Sequence, residues 1–171
     1  YDKGLNFVSG AEVPRGHGAR HMVFSPGGKT AFCANELKST VTVFNYSAGR
    51  LEAGETFPTL PEDYTGESTV AAIRSSSDGK YLYVSNRGHD SISCFHVREN
   101  RLELFDAVAC GGESPRDFNI TPDGKFLICT NENSENVTVF RMDNGRPVKT
   151  EIEIAVKKPL CVIFTQKGEP I

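Results

Sequence analysis

Tryptophan is absent from the 171 residues, and no uninterrupted apolar run approaches the roughly 18–20 residues that a membrane-spanning helix needs. A membrane partner is therefore not expected. Nor is there an excess of charge of one sign. Nineteen Lys and Arg stand against twenty-two Asp and Glu, a formal net charge of −3, which lacks the basic surplus that phosphate-backbone binding draws on and excludes nucleic acid as the expected partner. The five cysteines (Cys33, Cys94, Cys110, Cys129 and Cys161) form no CxxC or Cys/His spacing, and their odd number argues against a disulfide framework. Cys33 and Cys129 lie in the apolar runs FCA and ICT, where a small thiol behaves as a buried hydrophobe. No Walker or dinucleotide glycine pattern leads from a strand into a helix, which disfavours a nucleotide site, and no segment keeps a helical period. The chain begins at Tyr1 rather than Met, so a targeting segment or a longer N-terminal region is left open.

What the sequence does contain is a repeat. RHMVFSPGGKTAFCANELKSTVTVF from Arg20, AAIRSSSDGKYLYVSNRGHDSISCF from Ala71 and RDFNITPDGKFLICTNENSENVTVF from Arg116 align without a gap. Gly28, Gly79 and Gly124 keep the same intervals as Asn35, Asn86 and Asn131 and as Phe44, Phe95 and Phe140, and a fourth copy opens with CVIFTQKG at Cys161. Each copy reads as strand, tight turn, strand, turn, strand and a more variable fourth strand. PGGK, SDGK and PDGK supply a Gly for positive φ between two β-rich runs, and TVTVFNY, SISCFHV and NVTVFRM alternate as half-covered strands do. Four antiparallel strands at this period make a blade of a β-propeller, so the fold class is all-β.

Counting strands places one partial propeller domain over residues 1–171, with complete blades at about 19–63, 69–110 and 115–156. LNFVSGAEV reads as the outer strand of an earlier blade and residues 159–166 as the inner strand of a closing one. An open arc leaves an apolar face at each end, because every blade buries both its faces against neighbours. The expected partner is accordingly a missing N-terminal half, whose strands would complete the lone inner strand.

Inner strands line the axis of a propeller, and the start of the first strand shares one end of the blade with the end of the second. That end carries Arg20-His21, Asn35-Glu36, Asn86-Arg87-Gly88-His89, Arg116-Asp117 and Asn131-Glu132-Asn133. These positions differ in charge from copy to copy while the core positions repeat, the pattern of a shared asymmetric polar site. Arg20, Arg87 and Arg116 suit an anion, since a planar guanidinium grips two oxygens at once. Asn35, Asn86 and Asn131 recur at one place and read first as turn-makers that satisfy backbone groups, with Asn131 also carried as a substrate contact. His17 could reach the same rim, whereas His96 reads as an ordinary half-exposed strand residue. Glu36, Asp117 and Glu132 are carboxylates that could gather around a cation; no metal and no cofactor is expected.

RGHGARHMVFSPGGKTAFCANELKSTVTVF, LPEDYTGESTVAAIRSSSDGKYLYVSNRGHDSISCF and ESPRDFNITPDGKFLICTNENSENVTVF, followed by KPLCVIF, resemble the C-terminal half of the lactonase-type seven-bladed propellers. That family includes the propeller-type bacterial 6-phosphogluconolactonase and is related to carboxy-cis,cis-muconate cyclase. NRGHDS and PRDFNI are its most specific matches; SSSDG in place of Ser-Pro-Asp-Gly and the Asp-less PGGK are departures confined to turns. The resemblance implies a seven-bladed ring closed by a C-terminal inner strand. It further implies a cytoplasmic hydrolase that opens 6-phosphoglucono-1,5-lactone to 6-phosphogluconate in the pentose phosphate pathway. By the same resemblance Arg20, Glu36 and Arg87 take the acid/base and anchoring positions, with Glu36 or His21 as general base. Arg116, His89, Asp117 and Asn131 are the candidate substrate contacts. A further family His would lie outside this half, so the half alone is expected to be inactive. Two other readings stand beside this one: a lactone-forming or lactone-opening enzyme for a carboxylated substrate, and a non-catalytic interaction propeller.

Overall fold

A computed structural model describes residues 4–99 and 101–165, and the strands it contains form three four-stranded antiparallel sheets, each in sequence order. The first blade comprises β1 (Ala19–Phe24), β2 (Thr30–Asn35), β3 (Thr40–Ser47) and β4 (Arg50–Pro58). The second comprises β5 (Thr69–Ser75), β6 (Tyr81–Arg87), β7 (Ser91–Arg98) and β8 (Arg101–Ala109). The third comprises β9 (Pro115–Ile120), β10 (Phe126–Asn131), β11 (Asn136–Asp143) and β12 (Arg146–Ala155). The helical content of the described residues is one turn of 3₁₀ helix, Glu36–Lys38. Among the described residues no helix is long and apolar enough to cross a membrane.

The hairpin turns form for the reason their glycines suggest. Gly28, Gly79 and Gly124 have φ of 66°, 71° and 71°, and each donates its N–H to the carbonyl three residues earlier. In the second and third turns an Asp also accepts a hydroxyl and an N–H, Asp78 from Ser76 and Lys80, Asp123 from Thr121 and Lys125. The first turn has Gly27 at that place and lacks the brace.

Apolar layers between the sheets set their order around an arc. Phe32, Val41, Val43 and Phe57 of the first blade pack on Val70, Ile73, Leu82, Val84 and Phe95 of the second. Ala72, Tyr83, Ile92 and Cys94 of the second pack on Phe118, Leu127, Cys129 and Phe140 of the third. The inner strands β1, β5 and β9 thereby come side by side. The four cysteines Cys33, Cys94, Cys110 and Cys129 are buried, and all five are free thiols.

The repeated asparagines are wholly buried and do more than close turns. Each uses its side-chain amide within its own blade to reach hydroxyls on the third strand. Asn35 donates to Thr40 and Thr42, Asn86 to Ser91 and Ser93, and Asn131 to Thr138 and the Cys110 carbonyl. Each thus pegs the second strand to the third at the same end.

Leu5–Val13 and Cys161–Thr165, read from the sequence as an outer and an inner strand, pair with no strand among the described residues. A strand exists only where a neighbour completes its ladder. The rest of the fourth copy, from residue 166 on, lies outside the described residues. The two end faces of the arc are apolar and open. Met22 and Phe24 remain 43% and 44% exposed at one end, and Ile152 and Ile154 are each 53% exposed at the other, far above the level of the layers between blades.

Candidate functional site

The site lies where β1, β5 and β9 begin and β2, β6 and β10 end. Its arginines are aimed by the backbone. The β1–β2 register passes from Ala19 directly to His21, leaving Arg20 as a bulged residue, and the β9–β10 register leaves out Arg116 in the same way. The β5–β6 pair is irregular between Val70 and Ile73. A β-bulge adds local twist and turns one side chain out of the alternation, so equivalent positions of the three blades point their residues and carbonyls along the rim. Glu36 follows β2 on the 3₁₀ turn, which is stapled to the incoming loop: its N–H donates to Gly18 O at 2.7 Å and that of Leu37 to His17 O at 2.9 Å. Gly18 has φ of 71°, and a Cβ there would meet Leu37 Cγ at 2.8 Å, so glycine is required.

Arg20, Glu36 and Arg87 come together across the boundary between the first and second blades. Arg87 Nη2 donates to Glu36 Oε1 and, at 3.1 Å, to Val70 O. Arg20 Nε stands 3.8 Å from Glu36 Oε2, and its Nη1 donates to Ala71 O at 2.7 Å. Two guanidinium groups on one carboxylate leave a surplus positive charge. Both arginine side chains are only 17% exposed, which limits screening. The Arg87 Nε–H is buried with no protein partner. The Glu36 carboxyl is held below its usual range, first by the Arg87 hydrogen bond and, against the opposing pull of burial, by the charges of Arg87 and Arg20.

His21 stands next to this group, with Arg20 Nη1 at 3.1 Å from Nδ1 and 3.2 Å from Nε2. Its imidazole is pushed below the ordinary value by desolvation first, then by the charges of Arg20 and Arg74, with Asp117 and Glu36 opposing. Those surroundings favour the neutral imidazole over the charged one. The charges acting on His21 thus come from the third blade as well as the first two.

Arg116, in the third blade, pairs with Glu132 at 3.0 Å, repeating on its own blade the partnership of Arg20 with Glu36. The remaining candidates are engaged elsewhere. His89 packs its ring edge-on against Tyr64 at 4.5 Å and hydrogen-bonds Ser91 Oγ at 2.7 Å. Asn131 is the buried peg described above. Asp117 is nearly buried, with one oxygen on Arg74 at 2.8 Å and the other accepting Val162 N–H at 3.0 Å. His17 binds Thr40 Oγ1 at 3.0 Å, and His96 stacks on Phe105 at 4.3 Å. Glu36, Asp117 and Glu132 each face arginine rather than one another. Among the described residues no group of His, Cys, Asp or Glu is arranged to hold a metal ion.

Sequence reasoning missed Arg74, which occupies in β5 the place that Val23 holds in β1. Besides the Asp117 pair, its guanidinium donates to Ile73 O at 2.9 Å and lies 5.9 Å from the centre of the Phe118 ring. A charged residue at an inner-strand position that is apolar in the first copy was the available signal. One cleft flanks the cluster, and another lies at the far end of the second and third blades. One of about 400 Å³ runs beside Arg87 between Glu67–Thr69 and Glu113–Ser114, and one of about 460 Å³ lies below Arg74 between the Asp78 and Asp123 turns.

The profile of the lactonase seven-bladed β-propeller family matches residues 1–164. An uncharacterised Staphylococcus aureus (strain USA300) protein is 39% identical over 168 residues, which cover 95% of this chain and 49% of that protein. Among solved structures, a Lactobacillus plantarum protein superposes with a TM-score of 0.85 at 36% identity, over 88% of this chain and 46% of its own. A Bacteroides fragilis protein described as a putative 6-phosphogluconolactonase gives a TM-score of 0.84 at 33% identity, over 91% and 44%. The Pseudomonas aeruginosa periplasmic gluconolactonase gives 0.82 at 33% identity, over 87% and 43%. The chain spans about half the length of the curated relatives it matches. With three repeated blades, a shared rim site and a profile match over nearly all its residues, the chain belongs to the seven-bladed β-propeller lactonase family.

Proposed function

We propose that this chain is the C-terminal set of blades of a sugar lactonase that opens 6-phosphoglucono-1,5-lactone to 6-phosphogluconate. The Arg20–Glu36–Arg87 cluster, with its surplus positive charge beside the His21 imidazole, is the observation that carries the reading. Glu36, held ionised by two guanidinium groups, is a weak base and serves to fix them. His21 is the better proton acceptor. It takes a proton from water as the water oxygen bonds to the lactone carbonyl carbon, and Arg20 or Arg87 meets the oxyanion that develops. The bond from that carbon to the ring oxygen then breaks, and the ring oxygen takes the proton back from His21. Arg116 would meet the substrate phosphate. The remaining blades would come from the other half of a longer protein and cover the apolar end faces, so the three blades alone are expected to be inactive. A phosphorylated sugar lactone fits the cytoplasmic pentose phosphate pathway.

A second reading has support in the neighbour described as a periplasmic gluconolactonase: an unphosphorylated or carboxylated lactone meets the same surplus charge. The two are separated by hydrolysis rates of the intact protein on 6-phosphogluconolactone and gluconolactone, each corrected for spontaneous opening. A higher kcat/KM for the phosphorylated lactone is expected, falling at least about 10²-fold in Glu36→Gln. Equal rates on both lactones would remove phosphate recognition. No catalysed hydrolysis of either would leave the carboxylated lactone or the interaction propeller.

A further inference from the structure

Asp117 and Asn119 project from β9 onto a single residue of the C-terminal segment. Asp117 Oδ2 accepts the Val162 N–H at 3.0 Å, and Asn119 Nδ2 donates to the Val162 carbonyl at 3.3 Å. Two side chains thereby satisfy both polar groups of one residue, the task that a neighbouring strand performs elsewhere in the fold. The other Asp117 oxygen holds Arg74 Nη2 at 2.8 Å, and the Asp117 main-chain carbonyl accepts Thr130 Oγ1 at 2.9 Å. Both carboxylate oxygens are thus engaged within the protein, which gives Asp117 a structural task beside the contact role expected of it.

We propose that Asp117 is a positioning residue, a latch that docks Cys161–Ile163 on the inner strand of the third blade and in the same stroke fixes Arg74 at the wall beside His21. A guanidinium carries five N–H donors. Two of Arg74's are used on Asp117 and Ile73 O, which leaves the rest of the fork turned by the latch. The charged groups acting on His21 are Arg20 on its own strand, Arg74 on β5, Asp117 on β9 and Glu36 after β2. Both members of the latch pair are among them. The carboxylate that docks the terminal segment is thereby also one of the charges acting on the proton acceptor. This deepens the lactonase reading and rests on it for the role of His21, but the latch itself does not.

The test uses the intact protein and two readouts that need no activity. Cys161 is the exposed thiol, while the other four are buried, and it sits next to the latch with Asp117 helping to hold it in the protonated form after desolvation. Asp117→Asn should raise the iodoacetamide rate at Cys161, followed by mass mapping, by about fivefold, the change that one lost hydrogen bond carries. Asn119→Ala, which keeps the carboxylate, should raise it in the same direction and by less. His21 imidazole NMR should show its titration midpoint falling in Asp117→Asn and unchanged in Asn119→Ala. Because losing the Asp117 charge by itself frees thiolate at Cys161, the Asn119→Ala arm decides: an unchanged Cys161 rate there overturns the latch. A faster rate with the His21 midpoint unmoved in Asp117→Asn overturns its coupling to the site. If the wild type hydrolyses no lactone while both shifts occur, the lactonase reading fails and the latch stands. If lactone hydrolysis is intact and neither shift occurs, the reverse holds.

Discussion

Glu36 of the first blade and Arg87 of the second are ion-paired across the blade boundary, 51 residues apart in sequence. Neither blade alone contains the pair. Arg87 also holds Val70 O, so its guanidinium is fixed by a carboxylate on one blade and a carbonyl on its own. Lysine carries one ammonium in place of the fork and cannot serve both acceptors with the same geometry. Arg87→Lys is expected to lower stability by about 1.5–3 kcal/mol, the range of hydrogen bonds to charged groups, and to lower kcat/KM. Urea denaturation and lactone kinetics on the same preparation check this; wild-type values in both would remove the pair from site and fold alike.

The ionisation of Glu36 sets a pH dependence. Its folded pKa is lowered, so its contribution to stability is fully present above the unfolded value near about 4.3 and is lost as pH falls through the lower folded value. Thermal melts from neutral pH into the acid range should therefore show the wild type losing more Tm than Glu36→Gln. Parallel curves would sink this account.

His21 governs the opposite kind of titration. Because its pKa lies below the ordinary value, activity should rise with pH through a midpoint below about 6.5 and hold level at neutrality. His21→Gln should cost about 10²–10⁴-fold in kcat. Arg20→Gln, which removes a nearby positive charge, should raise the His21 midpoint in imidazole NMR, and a fall there would contradict the sign of the argument.

Asn86 ties its own blade to the preceding one. It donates to Ser91 and Ser93 and accepts Thr59 Oγ1 at 2.7 Å from the first blade. Asn86→Ala strands buried hydroxyls and should cost about 2–3 kcal/mol by chemical denaturation. A loss under half a kcal/mol would show that these hydroxyls find other partners.

Much of this was legible in the sequence, and the parts that were not have physical causes. The strands of each blade follow from alternation and glycine turns, which are local, and the repeat supplies their mutual alignment. Antiparallel order puts Arg20 and Glu36 at one end of the first blade, and the repeat puts Arg87 at the same end of its neighbour. The bulges at Arg20 and Arg116 do not follow from either, because a ladder irregularity leaves no trace in residue type. Asp117 reads as a free carboxylate in a rim motif, and its partners Arg74 and Val162 stand 43 and 45 residues away on either side. Asn131 shares one letter with Asn35 and Asn86, and burial rather than the rim position decides what it does.

The asparagine pegs bind mainly inside their own sheets, Asn35 to Thr40 and Thr42 and Asn86 to Ser91 and Ser93, and they sit one position before the residues that become Glu36, Arg87 and Glu132. Each sheet therefore keeps its own registration whatever side chain comes next. A duplicated blade can trade acid for base at the following position without losing its shape, which is how one ancestral unit can supply both halves of an ion pair.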